Sequence, residues 1–154
     1  MAGTGVSVAD ATAGDRAAWD VLYAGYAAFY DTPQDGAMRD RVWGWIHDPD
    51  VAMACLLART PAGVVGLAHT RPFRRPLTAS TGEYLDDLFV APQARGQGVG
   101  RALVDEVRRR AGAQGRSTVR WITRDTNRVA RALYDDLATA TAWVTYDAEP
   151  LAPR

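Results

Sequence analysis

The chain has 154 residues, 47% of them apolar, which suits one domain with a core that needs no disulfide or metal staple. All 18 basic residues are Arg, 15 of the 18 acids are Asp, and the net charge of zero argues against a general nucleic-acid binder. A single Cys and two His exclude a disulfide framework and make a metal site unexpected.

No apolar run approaches the roughly 18 residues that span a membrane, and the N-terminus lacks a basic-then-apolar signal pattern. A cytoplasmic protein with no membrane partner is therefore expected. The Ala, Gly, Arg and Asp excess fits the codon usage of a GC-rich genome. Neutrality hides an uneven distribution. Residues 1–70 hold four Arg against eight Asp; residues 71–131 hold 13 Arg against six acids; residues 132–154 hold one Arg against four acids. The positive middle points to an anionic ligand.

Taken in chain order, residues 5–9 read as a first strand. Thr12 to Asp15 resembles a capping box, and Trp19, Leu22, Tyr23, Tyr26, Phe29 and Tyr30 then follow helical spacing over residues 14–30. A second helix is predicted over 37–47, with Met38, Val42, Trp45 and Ile46 on one side. Residues 51–59 and 64–70 form a hairpin around Thr60–Gly63, and residues 71–82, with two prolines, read as a loop. A strand over 84–90, a helix over 98–112 with Val99, Ala102, Leu103 and Val107 inward, a strand over 118–123 and a helix over 127–137 follow. The expected last element is a short strand at 143–146.

The informative stretch is Tyr84–Leu103, YLDDLFVAPQARGQGVGRAL. Gly96, Gly98 and Gly100 open the backbone to an anion, the following helix N-terminus adds its dipole, and Arg95 and Arg101 bracket the turn with charged donors. The string lacks the Gly-Lys-Ser/Thr of a P-loop, and Arg101 stands where a dinucleotide fingerprint needs its last Gly. Arg95-Gly96-Gln97-Gly98-Val99-Gly100 instead matches Arg/Gln-x-x-Gly-x-Gly/Ala. Together with the preceding strand and with Asn127 and Tyr134 seven residues apart, it resembles the GCN5-related N-acetyltransferase (GNAT) superfamily. The short Hpa2/Hpa3-like and diamine-acetyltransferase-like members are the most similar.

That resemblance implies one α/β (α+β) domain over 1–154. Its mixed, mostly antiparallel central sheet would be splayed between strands 4 and 5, with helices on both faces. It implies direct transfer of an acetyl group from acetyl-CoA, a cosubstrate, to a primary amine in a ternary complex. Leu88, Phe89 and Val90 would pair with the pantetheine arm, and Arg95, Gly96, Gln97, Gly98, Val99, Gly100 and Arg101 would hold the pyrophosphate. Asn127 would bond the pantetheine, and a backbone N–H near Phe89–Val90 would serve the oxyanion.

Tyr134 would protonate the leaving thiolate. Asp86 matches an acidic residue implicated as base in polyamine acetylators, with Asp87 and Glu83 as other choices. Adjacent strand residues face opposite sides, so at most one of Asp86 and Asp87 is expected to enter the cleft. Cys55, in an apolar strand, reads as a buried, inert thiol.

Tyr26, Tyr30 and Asp87 are candidates for binding a cationic amine, because aromatic faces and carboxylates both attract it. A small-molecule amine is the expected acceptor; a protein or peptide amine and a non-catalytic acyl-CoA-binding module are the alternatives. Only one strand fits after the last helix, leaving a sheet edge that a second subunit would cover in a homodimer.

Overall fold

A computed structural model describes residues 5–153. Contacts within the chain divide it into two compact units, one ending at Ile122 and the other starting at Thr123.

The first unit runs β1 (Ser7–Asp10), α1 (Arg16–Phe29), α2 (Gly36–His47), β2 (Ala54–Thr60), β3 (Gly63–Arg75), β4 (Ser80–Val90), α3 (Val99–Ala113) and β5 (Val119–Arg120). The sheet order is β1-β2-β3-β4-β5, antiparallel throughout except for the parallel β4–β5 pair. β5 meets β4 only at Glu83 and Tyr84. Beyond them β4 runs on to Val90 with no pairing to β5, which leaves that edge of the fourth strand open as a splayed sheet would.

Helices cover both faces. On one, Trp19 and Leu22 of α1 pack with Cys55, Leu57, Leu67 and Phe89 of the sheet, and Val42, Trp43 and Ile46 of α2 close over them. On the other, α3 buries Val99, Leu103, Val104, Val107 and Ala111. Each large apolar side chain so buried contributes about 1.5–3 kcal/mol. Asp15 Oδ2 accepts the Thr12 backbone N–H at 2.8 Å, which closes the chain into the one-turn 3-10 segment Ala13–Asp15 ahead of α1. In α2 the residues against the core are Val42, Trp43 and Ile46, whereas Met38 and Trp45, expected on the same side as Val42 and Ile46, are 44% and 45% exposed.

Residues 71–82 are not a loop. β3 continues to Arg75, and β4 begins at Ser80 after one 3-10 turn over Pro76–Thr78. Pro72 is tolerated for a specific reason. It lies opposite Glu83, whose N–H donates to Thr118 O of the next segment, so neither backbone points into the β3–β4 ladder there. The missing Pro N–H instead faces the β2 side, and β2 ends at Ala54, paired with Thr70. The strand expected over 118–123 is also shorter, two residues long.

The second unit contains α4 (Arg128–Leu137). Asn127 is its N-cap: its side chain accepts the Ala130 N–H and donates through Nδ2 to Thr123 Oγ1 at 3.2 Å. The strand expected at 143–146 does not form. A strand needs a neighbour for its N–H and C=O groups. Among the described residues this segment has none, and Trp143, Val144 and Tyr146 are exposed.

Candidate active site

A β-bulge sets the geometry of β4. Gly66 to His69 pair with Val90 back to Asp87, but Thr70 pairs with Leu85, so Asp86 is the extra residue. A bulge shifts the phase of everything beyond it. Before it, Glu83 lines a small cavity with Val107 and Ala111 of α3; after it, Phe89 packs with Trp19 and Leu22 of α1. Strict alternation would have put 83 and 89 on the same side. Asp86 and Asp87 therefore both face the α1 side. This corrects the expectation of opposite faces, which holds only for an unbroken strand.

The same shift aims the backbone. Ala91 N–H donates to Val65 O, and Phe89 O lies against Gly66, so residues 89 and 91 bond to β3. Leu88 and Val90 consequently direct their N–H and C=O groups to the opposite side, where β5 pairs only with residues 83 and 84. Of these groups, Val90 O accepts Arg95 Nε at 3.1 Å. Of the three residues expected to meet a pantetheine arm, Leu88 and Val90 thus offer backbone groups. Phe89 offers only its ring, which is core.

The two carboxylates live in different surroundings. Asp87 Oδ2 accepts the Tyr23 hydroxyl at 3.0 Å and lies 2.8 Å from His69 Nδ1, while Trp19 Nε1 donates to His69 Nε2 at 2.9 Å. An indole N–H can only donate. His69 Nε2 is thereby the acceptor, and the ring proton sits on Nδ1, aimed at Asp87. Burial works to raise the Asp87 carboxyl, but bonding by His69, Tyr23 and Tyr26 outweighs it and holds the group below the usual carboxylate range.

Asp86 is shifted the other way. Burial raises its carboxyl and Asp87 adds repulsion, while its partner Arg71, with Nε 2.9 Å away, opposes without cancelling. Two neighbouring acids pushed apart in this way divide the roles: Asp87 is a fixed anion, and Asp86 is the group suited to taking up a proton. The third choice, Glu83, is buried on the α3 side with Arg116 Nε at 3.2 Å. Burial raises the hydroxyls of Tyr23 and Tyr26 well above their ordinary value, so both act as hydrogen-bond donors. Tyr26 stacks edge-on to Phe89 and to Tyr30. Burial likewise pushes the Cys55 thiol up to about 12, where it is not a nucleophile.

Beyond β4 the chain makes the anticipated turn. Gly96 and Gly98 have φ of 72° and 80°, the left-handed region that other residues enter at a cost, and Gly98 is the N-cap of α3. The N–H groups of Val99, Gly100 and Arg101 fall in the first helical turn and have no intrahelical acceptor. Arg95 has a second duty: besides bonding Val90 O, its guanidinium lies over the rings of Phe29 and Phe89 at 5.5 and 5.6 Å. Gln97 Nε2 donates to Gln93 O.

At least five of the 13 arginines of the middle segment are held in ion pairs, one of them also with an acid from outside it. Arg110 pairs with Asp10 and Glu106, Arg109 with Glu106, Arg108 with Asp105, Arg116 with Glu83 and Arg71 with Asp86. Sequence reasoning missed His69, Trp19 and Arg71. A lone His and a lone Arg in a strand carry no local signal, since cross-strand pairing created their roles. In the second unit, Asn127 caps α4 and Tyr134 is partly buried on that helix. Among the described residues, no group of three or more His, Cys, Asp or Glu is placed to hold a metal ion, and no helix is long and apolar enough to cross a membrane.

Known proteins resemble the chain in sequence and in fold. The sequence profile of the Acetyltransferase (GNAT) family matches residues 19–138. The D-amino-acid N-acetyltransferase HPA3 of Saccharomyces cerevisiae is 32% identical over 134 residues, covering 86% of this chain and 83% of the yeast protein. A thialysine N-epsilon-acetyltransferase of Mus musculus is 36% identical over 76 residues, 46% of this chain and 45% of the mouse one. Among solved structures, a ribosomal-protein-alanine N-acetyltransferase from Brucella melitensis superposes with a TM-score of 0.78 at 23% identity. That match spans 94% of this chain and 98% of the other and bears on the fold.

Proposed function

The chain belongs to the acetyltransferase (GNAT) family and is an acyl-CoA-dependent N-acyltransferase, and from that premise we propose that it acetylates the primary amine of a small molecule, using Asp86 as the base. The observation that carries this reading is the bulge at Asp86, which brings a raised carboxyl, a fixed anion and an open backbone edge onto one stretch of β4.

The residues present fit acetyl-CoA. Leu88 and Val90 offer N–H and C=O groups to the pantetheine arm, and the Gly96–Arg101 turn offers its N–H groups to the pyrophosphate. When bound, the cosubstrate supplies an activated thioester carbonyl. The Val90 N–H is the donor we assign to that carbonyl's oxygen, in preference to the Phe89 N–H, which is directed at β3. Asp86 takes the proton from the acceptor ammonium, which as a free amine of pKa about 10 is otherwise protonated at neutral pH. Asp87 stays ionised and, with Tyr26 and Tyr30, attracts the cationic acceptor. Family correspondence assigns proton donation to the leaving thiolate to Tyr134, and a pantetheine bond to Asn127.

We read both units as one acetyltransferase domain, since the family profile runs across Thr123. The homodimer remains our expectation, supported by the exposed Trp143, Val144 and Tyr146, and sedimentation in solution measures it directly. The yeast and mouse relatives are named for D-amino acids and for thialysine, which supports amino-acid amines as the first acceptors to test.

The test is a thiol-release assay with acetyl-CoA against a panel of amines, run on the wild type and Tyr134→Phe. Turnover with at least one small amine and a loss of about 10²-fold or more in kcat for Tyr134→Phe support the reading. CoA-dependent thermal stabilisation without turnover of any amine would leave only a binding module. A Tyr134→Phe enzyme as active as the wild type would remove Tyr134 from the chemistry.

A further inference from the structure

Arg71 belongs to neither the coenzyme turn nor the residues singled out from the sequence. It lies opposite Tyr84 on β3, one register step beyond the bulge, and faces the same side as Asp86. Its Nε donates to Asp86 Oδ1 at 3.2 Å and lies 2.9 Å from Oδ2. The guanidinium is also held in plane: its Cζ stacks over the Tyr84 ring at 4.7 Å, and Tyr84 packs edge-on against Phe73, with the Arg120 guanidinium 5.0 Å beyond on the other ring. The stack positions an arginine whose side chain is still 48% exposed. Among the described residues, its terminal nitrogens donate no hydrogen bond to protein.

We propose that Arg71 binds the carboxylate of the acceptor, and that the acceptor is accordingly a zwitterionic α-amino acid and not a diamine. The inference rests on the acetyltransferase reading and narrows its substrate. In the free protein Arg71 and Asp86 satisfy one another. A zwitterion exchanges that single ion pair for two, its carboxylate on the fork of Arg71 and its ammonium on Asp86, with no net change in the charge the site must hold. Arginine suits this role because its planar donors match a carboxylate bidentately.

The spacing agrees. Standard bond lengths place the nitrogen and the carboxyl carbon of an α-amino acid about 2.5 Å apart, so its two charges need adjacent partners, and Arg71 and Asp86 are in contact. The exchange also frees Asp86 from the cation that opposes its uptake of a proton. Correct binding thereby prepares the base. A diamine has nothing to offer Arg71; its second ammonium would meet a like charge beside the site. Asp87, held by His69 and Tyr23, remains as the fixed anion that keeps the pocket attractive to the ammonium.

The experiment compares neutral α-amino acids, in D and L forms, with their α-carboxamides and with spermidine, as acceptors for the wild type, Arg71→Gln and Arg71→Lys. The carboxamide keeps the ammonium and loses the anion. In the wild type we expect kcat/KM for the acid to exceed that for the carboxamide by 10-fold or more, carried in KM. In Arg71→Gln that preference should vanish through a rise in KM for the acid alone, and Arg71→Lys should restore part of it. The wild-type comparison needs no variant to fold.

Equal use of acid and carboxamide by the wild type would overturn the proposal, as would a loss in Arg71→Gln that falls equally on both. Turnover of spermidine with no amino acid accepted would overturn it while leaving the acetyltransferase reading intact. Failure of every amine together with absent CoA stabilisation would instead strike the reading beneath it.

Discussion

His69 Nδ1 lies 2.8 Å from Asp87 Oδ2, and because Trp19 donates to the opposite ring nitrogen at 2.9 Å, the imidazole delivers its one proton to the carboxylate. A fully buried ring joins the core to the acid beside the proposed base. His69→Phe leaves the Trp19 N–H buried without a partner and removes one of the two donors to Asp87 Oδ2, the Tyr23 hydroxyl remaining. Leaving such a group unpaired costs roughly 1–3 kcal/mol. Urea unfolding should show a loss of about 1–3 kcal/mol for His69→Phe, and a loss also for Trp19→Phe, which strands the imidazole nitrogen instead.

Asp87 also makes stability depend on pH in a defined direction. Its folded-state pKa lies below its unfolded one. The carboxylate therefore contributes its full stabilisation above the ordinary carboxylate range, and loses it as the pH falls through the depressed folded value. Asp87→Asn is expected to be less stable at neutral pH and less sensitive to acid. Thermal melts between neutral pH and the acid limit measure both, and parallel acid sensitivity in the two proteins would remove Asp87 from the account.

Asp86 predicts a kinetic pH limb of the same sign with a different position. Its carboxyl is raised, so the basic form is lost as the pH falls through a value above the ordinary Asp range. Asp86→Asn should lower kcat by about 10²–10⁴-fold, abolish the acidic limb of kcat/KM, and leave CoA-dependent stabilisation unchanged. Asp87→Asn should keep that limb, and a pH profile retained in Asp86→Asn would move the base elsewhere.

The coenzyme turn is testable without an acceptor. Gly98 has φ of 80° as the helix N-cap, and an L side chain there costs about 1–2 kcal/mol. Gly98→Ala should lower the melting temperature modestly and reduce the stabilisation given by CoA by far more. Calorimetry with CoA would register the difference as a 10-fold or greater loss of affinity.

The arm that carries Arg71 depends on a close approach. A Cβ added at Gly82 would stand 2.5 Å from the Phe73 ring and 3.0 Å from the Thr118 methyl. Gly82→Ala is expected to cost roughly 1–3 kcal/mol through overpacking. Pairing it with Phe73→Leu should recover part of that in a double-mutant cycle, and additive losses would contradict the contact.

The order of the elements was legible because helical spacing, turn chemistry and the Arg95–Gly100 string are local properties, written within a few residues of where they act. The coenzyme turn followed for the same reason: Gly96 and Gly98 adopt the backbone that only glycine enters freely. Longer-range pairing was not legible. Two prolines predicted a loop over 71–82, yet Pro72 fell at a position whose missing N–H faces past the end of β2.

By itself, the sequence determined the family, the turn that suits a phosphate and the presence of two acids on one strand. The tertiary structure alone decided which carboxyl is raised and which is held as a fixed anion. The register between His69 and Thr70 slips by one residue at Asp86, turning two acids to one face and aiming Leu88 and Val90 at the splayed side of the sheet. A register slip is a property of two strands together. It leaves no mark on either one, because backbone hydrogen bonding depends on the partner and not on the side chain. The placement of His69 under Asp87 and of Arg71 beside Asp86 follows from that pairing.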